Sequence, residues 1–176
     1  MRVSSPFTGR EGVREVLRDG VAAGSVAAVV SGAPSTLHAL LTGGRLLEPS
    51  LAAGTLLLPD ERRTTRLLPA AAAAHVALSL GWALPLAAVL PRERTPALGA
   101  LAGLGIAALD LGVIGRRFPR IRALSALPQV ADHVAYGATV GTVLRVRRGR
   151  RRAGDRYRSR PCASCPKSRS RSRSPT

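Results

Sequence analysis

Ala123–Leu144 reads ALSALPQVADHVAYGATVGTVL. At 1.5 Å per residue, 22 helical residues cover about 33 Å, which matches the hydrocarbon core of a bilayer. Asp132 and His133 sit side by side near its middle. An ionisable pair at that depth is costly in lipid and has to face protein or a wet cavity. The stretch therefore predicts a membrane helix that needs a wall of other helices around it.

The rest of the chain supplies candidates for that wall. Residues 20–44 and 67–91 contain no Asp, Glu, Lys or Arg, and residues 96–115 contain only Asp110. Together with 123–144 they predict four spans. Span 1 contains Pro34 and span 2 contains Pro85, each expected to kink its helix by removing a backbone donor. The first apolar run follows the mixed-charge leader 1–19 and reads as an uncleaved anchor. Leu46–Pro59 is apolar but short for a span, and carries Glu48 and two prolines, which suits a short half-buried helix between spans 1 and 2. The expected fold is an all-α integral membrane four-helix bundle over 20–144.

Composition agrees. Hydrophobic residues make up 45% of the 176, yet aromatics only 3%. A soluble core of this size normally buries more large rings, whereas membrane helices pack through small residues. Gly20/Gly24, Gly99/Gly103 and Gly137/Gly141 are GxxxG pairs on three of the spans. In helices this rich in Ala and Gly the motif also arises by chance, so each pair is a weak signal alone.

The charge is concentrated at one end. Residues 145–176 hold 13 Lys and Arg against one acid, Asp155. Arg145, Arg147, Arg148, Arg150, Arg151 and Arg152 directly follow span 4, where they read as a topology anchor and a binder of anionic lipid head groups. With four spans, both termini lie in the cytoplasm and the chain in the inner (plasma) membrane. Four arginines in each of the loops 45–66 and 116–122 run partly against that orientation. The Pro/Ser/Arg-rich composition of the tail predicts disorder over 145–176. Its RSRSRS run imitates RNA-associated tails, but the chain has no aromatic RNA-binding motif, so nucleic acid is disfavoured. Cys162-Ala-Ser-Cys165 is a lone CxxC lacking the second pair that zinc needs.

All three histidines, His38, His75 and His133, fall in predicted spans with Asp110 and Asp132. These five residues form a candidate polar seam. Facing one another, with Asp110 sharing a proton with His133 or His75 across the helix interface, they could relay protons or pass a small solute. The plainer alternative is that they hydrogen-bond helices together in a structural or partner-binding protein. A third reading is haem held by two histidines. No spacing matches a metal pattern and no cofactor is expected. There is no GxSxG or other catalytic motif, so the chain does not read as an enzyme. Four spans leave little room for a closed pathway, which makes a homodimer attractive.

The segments SGAPSTLHALLTG (31–43), SLAAGTLLLP (50–59), AALDLGVIGRRFPRIRAL (107–124) and LPQVADHVAYGATVG (127–141) resemble an uncharacterised family of small integral membrane proteins from actinobacteria and similar high-GC bacteria. The resemblance covers about 20–144 and not the tail. It implies a multi-pass membrane protein and carries no activity.

Overall fold

A computed structural model describes residues 10–158, and every regular element among them is helical. Helix α1 (Arg10–Val30) and α2 (Ala33–Thr42) are two halves of one rod interrupted at Ser31–Gly32. Pro34 explains the interruption: its nitrogen cannot donate to Val30 O, so the ladder cannot run through. The α2 rod ends at Gly43, whose φ of +68° is the left-handed conformation that glycine adopts without steric cost. Short α3 (Glu48–Gly54) follows, then α4 (Thr64–Val89). Helix α5 (Thr95–Leu109) widens into a π-helical turn over Asp110–Ile114 and tightens into a 3-10 turn over Gly115–Arg117. One turn of α6 (Pro119–Arg122) leads to α7 (Ala126–Arg158).

Three of these rods, Arg10–Thr42, Thr64–Val89 and Thr95–Arg117, are long and apolar enough to cross a membrane. The expected fourth, α7, is not among them. Gln129, Asp132, His133 and Tyr136 dilute its apolar stretch, and arginines begin at Arg145. This most polar of the long helices also packs against the most elements, α1, α2, α4 and α5. The leader expected at 1–19 is, from Arg10 on, the first three turns of α1. The tail expected to be disordered from Arg145 instead continues α7 unbroken to Arg158. Residues 159–176, with the RS run and the CxxC, lie outside the described residues.

Helix α7 runs antiparallel to α5 along a seam without side chains. A Cβ on Gly99 would strike the Gly137 carbonyl, one on Gly103 the His133 carbonyl, and one on Gly141 the Thr95 carbonyl. The register advances four residues at a time on both helices, which keeps one face of each in contact. Gly20 and Gly24 do the same for α1 against α4, with Gly24 lying on Ala83 and the Ser79 carbonyl. Around these contacts the core contains Ala23, Ala27, Ala83, Leu86, Ile106, Tyr136, Val140 and Leu144. Small residues let backbones approach closely enough for dispersion to replace the bulky apolar core of a soluble protein. Helix α3 is half-buried, tucking Leu51, Ala52 and Gly54 against α4, where Gly54 meets the Leu67 carbonyl.

These contacts separate essential glycines from permissive ones. Gly137→Ala forces two backbones apart and should cost roughly 1–3 kcal/mol, as overpacking does. Gly81→Ala meets nothing within 4 Å and should be neutral or stabilise by up to about 1 kcal/mol through lost unfolded-state freedom. Thermal unfolding of the purified variants in detergent checks the contrast; equal midpoints would refute the tight seam.

Candidate functional site

Asp132 and His133 are neighbours in sequence but turn to different helices. His133 faces α5: its Nε2 lies 3.2 Å from Asp110 Oδ2. Its Nδ1 lies 2.7 Å from Gln129 O, and since a carbonyl only accepts, Nδ1 carries a hydrogen. The Nε2···Oδ2 contact then needs one shared proton. Either a protonated Asp110 donates to neutral imidazole, or imidazolium donates to carboxylate. Both side chains remain about 21% exposed, so this proton can exchange. Asp110 is also the residue at which α5 turns π-helical, an irregularity found often at functional positions.

The helix geometry explains how the pair meets. Cβ atoms tilt toward the N-terminus of their own helix. In an antiparallel pair, Asp110 therefore leans back along α5 while His133 leans back along α7, and they converge below the Gly103–His133 backbone contact.

Asp132 faces the break in the first rod. Ser35 N–H donates to Asp132 Oδ1 at 2.9 Å. Gly32 is the N-cap of α2 and Ser35 its third residue. The N–H at that position normally bonds the N-cap side chain, which glycine lacks. Asp132 supplies the missing cap from another helix, and its charge suits the positive end of the α2 dipole. His75 treats the other side of the break. Its Nε2 lies 2.7 Å from Ala28 O and donates to this carbonyl in the last turn of α1. Both His75 and His133 lie within electrostatic reach of Asp132.

Four of the five predicted seam residues therefore gather in one layer. His38 does not join them. It sits on the exposed side of α2, while the adjacent Ala39 is the buried position. Ser35, on the polar face of the first span by sequence, takes part through its backbone N–H, a role that sequence reasoning missed. The available signal was Gly32 before Pro34, a helix start without its own capping side chain.

At the opposite end, the basic residues after Leu144 divide into two sets. Arg147 and Arg151 both bond the carboxylate of Asp19, which is almost fully buried. Arg148 donates to Leu90 O at 2.9 Å and Ala87 O at 2.7 Å, capping the C-terminus of α4. Burial pushes the Arg148 guanidinium below the usual arginine range; Asp19 opposes this, while Arg92 and Arg151 reinforce it. Arg145, Arg150 and Arg152 are exposed. Asp19, also missed, was legible as the last acid before the apolar run at the same end as the basic segment.

Among the described residues, no three His, Cys, Asp or Glu side chains converge as a metal would need. Searches against protein-family models, curated proteins and solved structures found no match.

The two roles of the layer can be tested by substitution. Asp132→Asn keeps an acceptor for Ser35 N–H and should cost less than about 1 kcal/mol. Asp132→Ala leaves that donor unsatisfied and should cost roughly 1–3 kcal/mol. Unfolding in detergent should rank Ala below Asn below wild type; a wild-type midpoint for the alanine variant would remove the capping role.

Proposed function

We propose that the chain is a multi-pass protein of the bacterial inner membrane, a four-helix bundle with both termini in the cytoplasm, whose Asp110–His133 pair takes up and releases a proton. The contact between His133 Nε2 and Asp110 Oδ2 carries this reading, because it requires one shared proton at a partly accessible position. Three apolar rods of sufficient length support membrane insertion. So do their outward faces: Val29 is 85% exposed and Leu41 78%, an arrangement suited to lipid rather than water. Helix α7 counts as the fourth span because its neighbours enclose its polar groups.

The polar layer lies toward the non-cytoplasmic end. Between it and the cytoplasmic arginines, the glycine seam and the fully buried Val140 and Leu144 close the bundle. Onward passage of a proton or small solute therefore requires α5 and α7 to part along that seam.

A structural role is the second reading, and a specific observation favours it. Asp132 and His75 serve the two ends of the broken rod, a task that needs no chemistry. The haem reading has weaker support, since the Nε2 atoms of His75 and His133 are turned to Ala28 O and Asp110.

Flux separates the first two readings. Proteoliposomes with an internal pH dye should show proton entry down an imposed gradient. Asp110→Asn should lower it at least tenfold while leaving membrane integration after carbonate washing unchanged. Identical rates for wild type, variant and empty liposomes would leave the structural reading in place.

A further inference from the structure

The turn that joins α4 to α5 stands over a groove between them. Trp82, Pro85, Leu86 and Val89 from α4 face Ala102 and Ile106 from α5, enclosing about 310 Å³ of almost wholly apolar space. The groove is partly open to the surface of the bundle. Core residues Val140 and Leu144 of α7 join Leu86 and Ile106 in the cluster behind it. Arg148 continues that face of α7 at i, i+4 and i+8 and lies at the cytoplasmic end of α4, bonded to Ala87 O and Leu90 O. Arg92, exposed in the turn, and Arg151 are close enough to Arg148 to repel it. The acids at this end are Glu93, between Arg92 and Arg94 in the turn, and Asp19, which Arg147 and Arg151 already share. Beyond the apolar groove, the turn and the adjoining end of α4 thus carry more arginine than acid, with Arg92, Arg94 and Arg148 beside Glu93.

We propose that this groove and its mouth form a site for an anionic phospholipid, with one acyl chain against Trp82 and Ile106 and the phosphate between Arg92 and Arg148. The inference rests on the membrane reading and deepens it. The two halves of the site match the two halves of such a lipid, apolar below the span end and cationic above it. Charge complementarity selects the anionic head group, since a zwitterionic lipid would bring a second cation to a mouth that already repels itself. The site also differs from the sequence-based expectation of a lipid-binding tail. Of the tail arginines only Arg148 takes part, and Arg92 comes from a turn 56 residues earlier.

Trp82 is the single tryptophan of the chain, so its fluorescence reports the groove directly. Full-length protein is placed in phosphatidylcholine vesicles containing a minor share of either phosphatidylglycerol or phosphatidylcholine with brominated acyl chains. The site predicts stronger quenching by the brominated phosphatidylglycerol. Arg92→Gln should weaken that preference about fivefold, the effect of one basic residue near an anionic surface. Gly105→Leu should abolish it by filling the groove, because a Cβ at Gly105 meets no atom within 4 Å. Arg116→Gln, on the connector at the far end, should change nothing. Equal quenching by the two lipids would overturn the site while leaving the membrane reading intact. Relief of quenching by inorganic phosphate at matched ionic strength would show that the arginines take free phosphate, and would also overturn it. Failure of either lipid to quench, with protein remaining in the supernatant, would sink the membrane reading and the site with it.

Discussion

The backbone contact between α5 and α7 sets the geometry on which the rest depends. Gly99 and Gly103 meet Gly137 and His133 with no side chain between them. Two helices this close are fixed in rotation and register, because a slip of one residue would bring Cβ atoms into the seam. That fixed register puts Asp110 beside His133. It also turns Tyr136 away from α5 toward α4, where its hydroxyl donates to Ser79 O. A polar helix can occupy the middle of an apolar assembly because this contact, together with α1, α2 and α4, covers so much of its length.

The irregular backbone and the ionisable side chains coincide, and hydrogen-bond satisfaction accounts for it. Wherever a helix ladder is interrupted away from water, the freed N–H and C=O groups need partners. The Ser31–Gly32 break frees groups of both kinds. Asp132 accepts at the α2 end and His75 donates at the α1 end. Each also opposes the partial charge of the terminus it serves. The same logic operates at the far rim, where Arg148 occupies two carbonyls at the end of α4. Three ionisable residues are thus held in place by helix ends. The Asp110–His133 pair differs, since each group is the other's partner and the proton between them can leave.

Much of the rod architecture was legible in the sequence. Runs free of charge located the second and third rods and the end of the first to within three residues, although the first rod starts ten residues earlier than expected, and Pro34 marked the break. The GxxxG pairs, weak as motifs, did form the close contacts. Two features were not legible. The boundary at Leu144 was drawn where arginine begins, because composition treats a cluster of like charge as solvated and unstructured. Asp19 and the α4 carbonyls counter that charge from elements more than 50 residues away, and the helix continues. The grouping of Asp132 with His133 as one pair was likewise a sequence-neighbour reading, whereas the alternative contact of Asp110 with His133 across the helix interface is the one the structure forms. Adjacent helical residues point about 100° apart, so they contact different helices more readily than each other.

The arrangement along the bundle bears on what it can do. A conduit needs polar groups from one face of the membrane to the other, but here they collect in two layers separated by a seam of glycine, Val140 and Leu144. In the proposed role, proton exchange at Asp110–His133 would reach the far rim only through that seam. Breaking the pair removes one of the contacts holding α5 to α7 next to Gly103, so protonation and helix separation are linked: any change in the pair's affinity for its proton on opening must equal the change in opening equilibrium on protonation. In the proposed role, the glycine seam that makes the bundle tight is therefore also the element on which a proton at this pair would act.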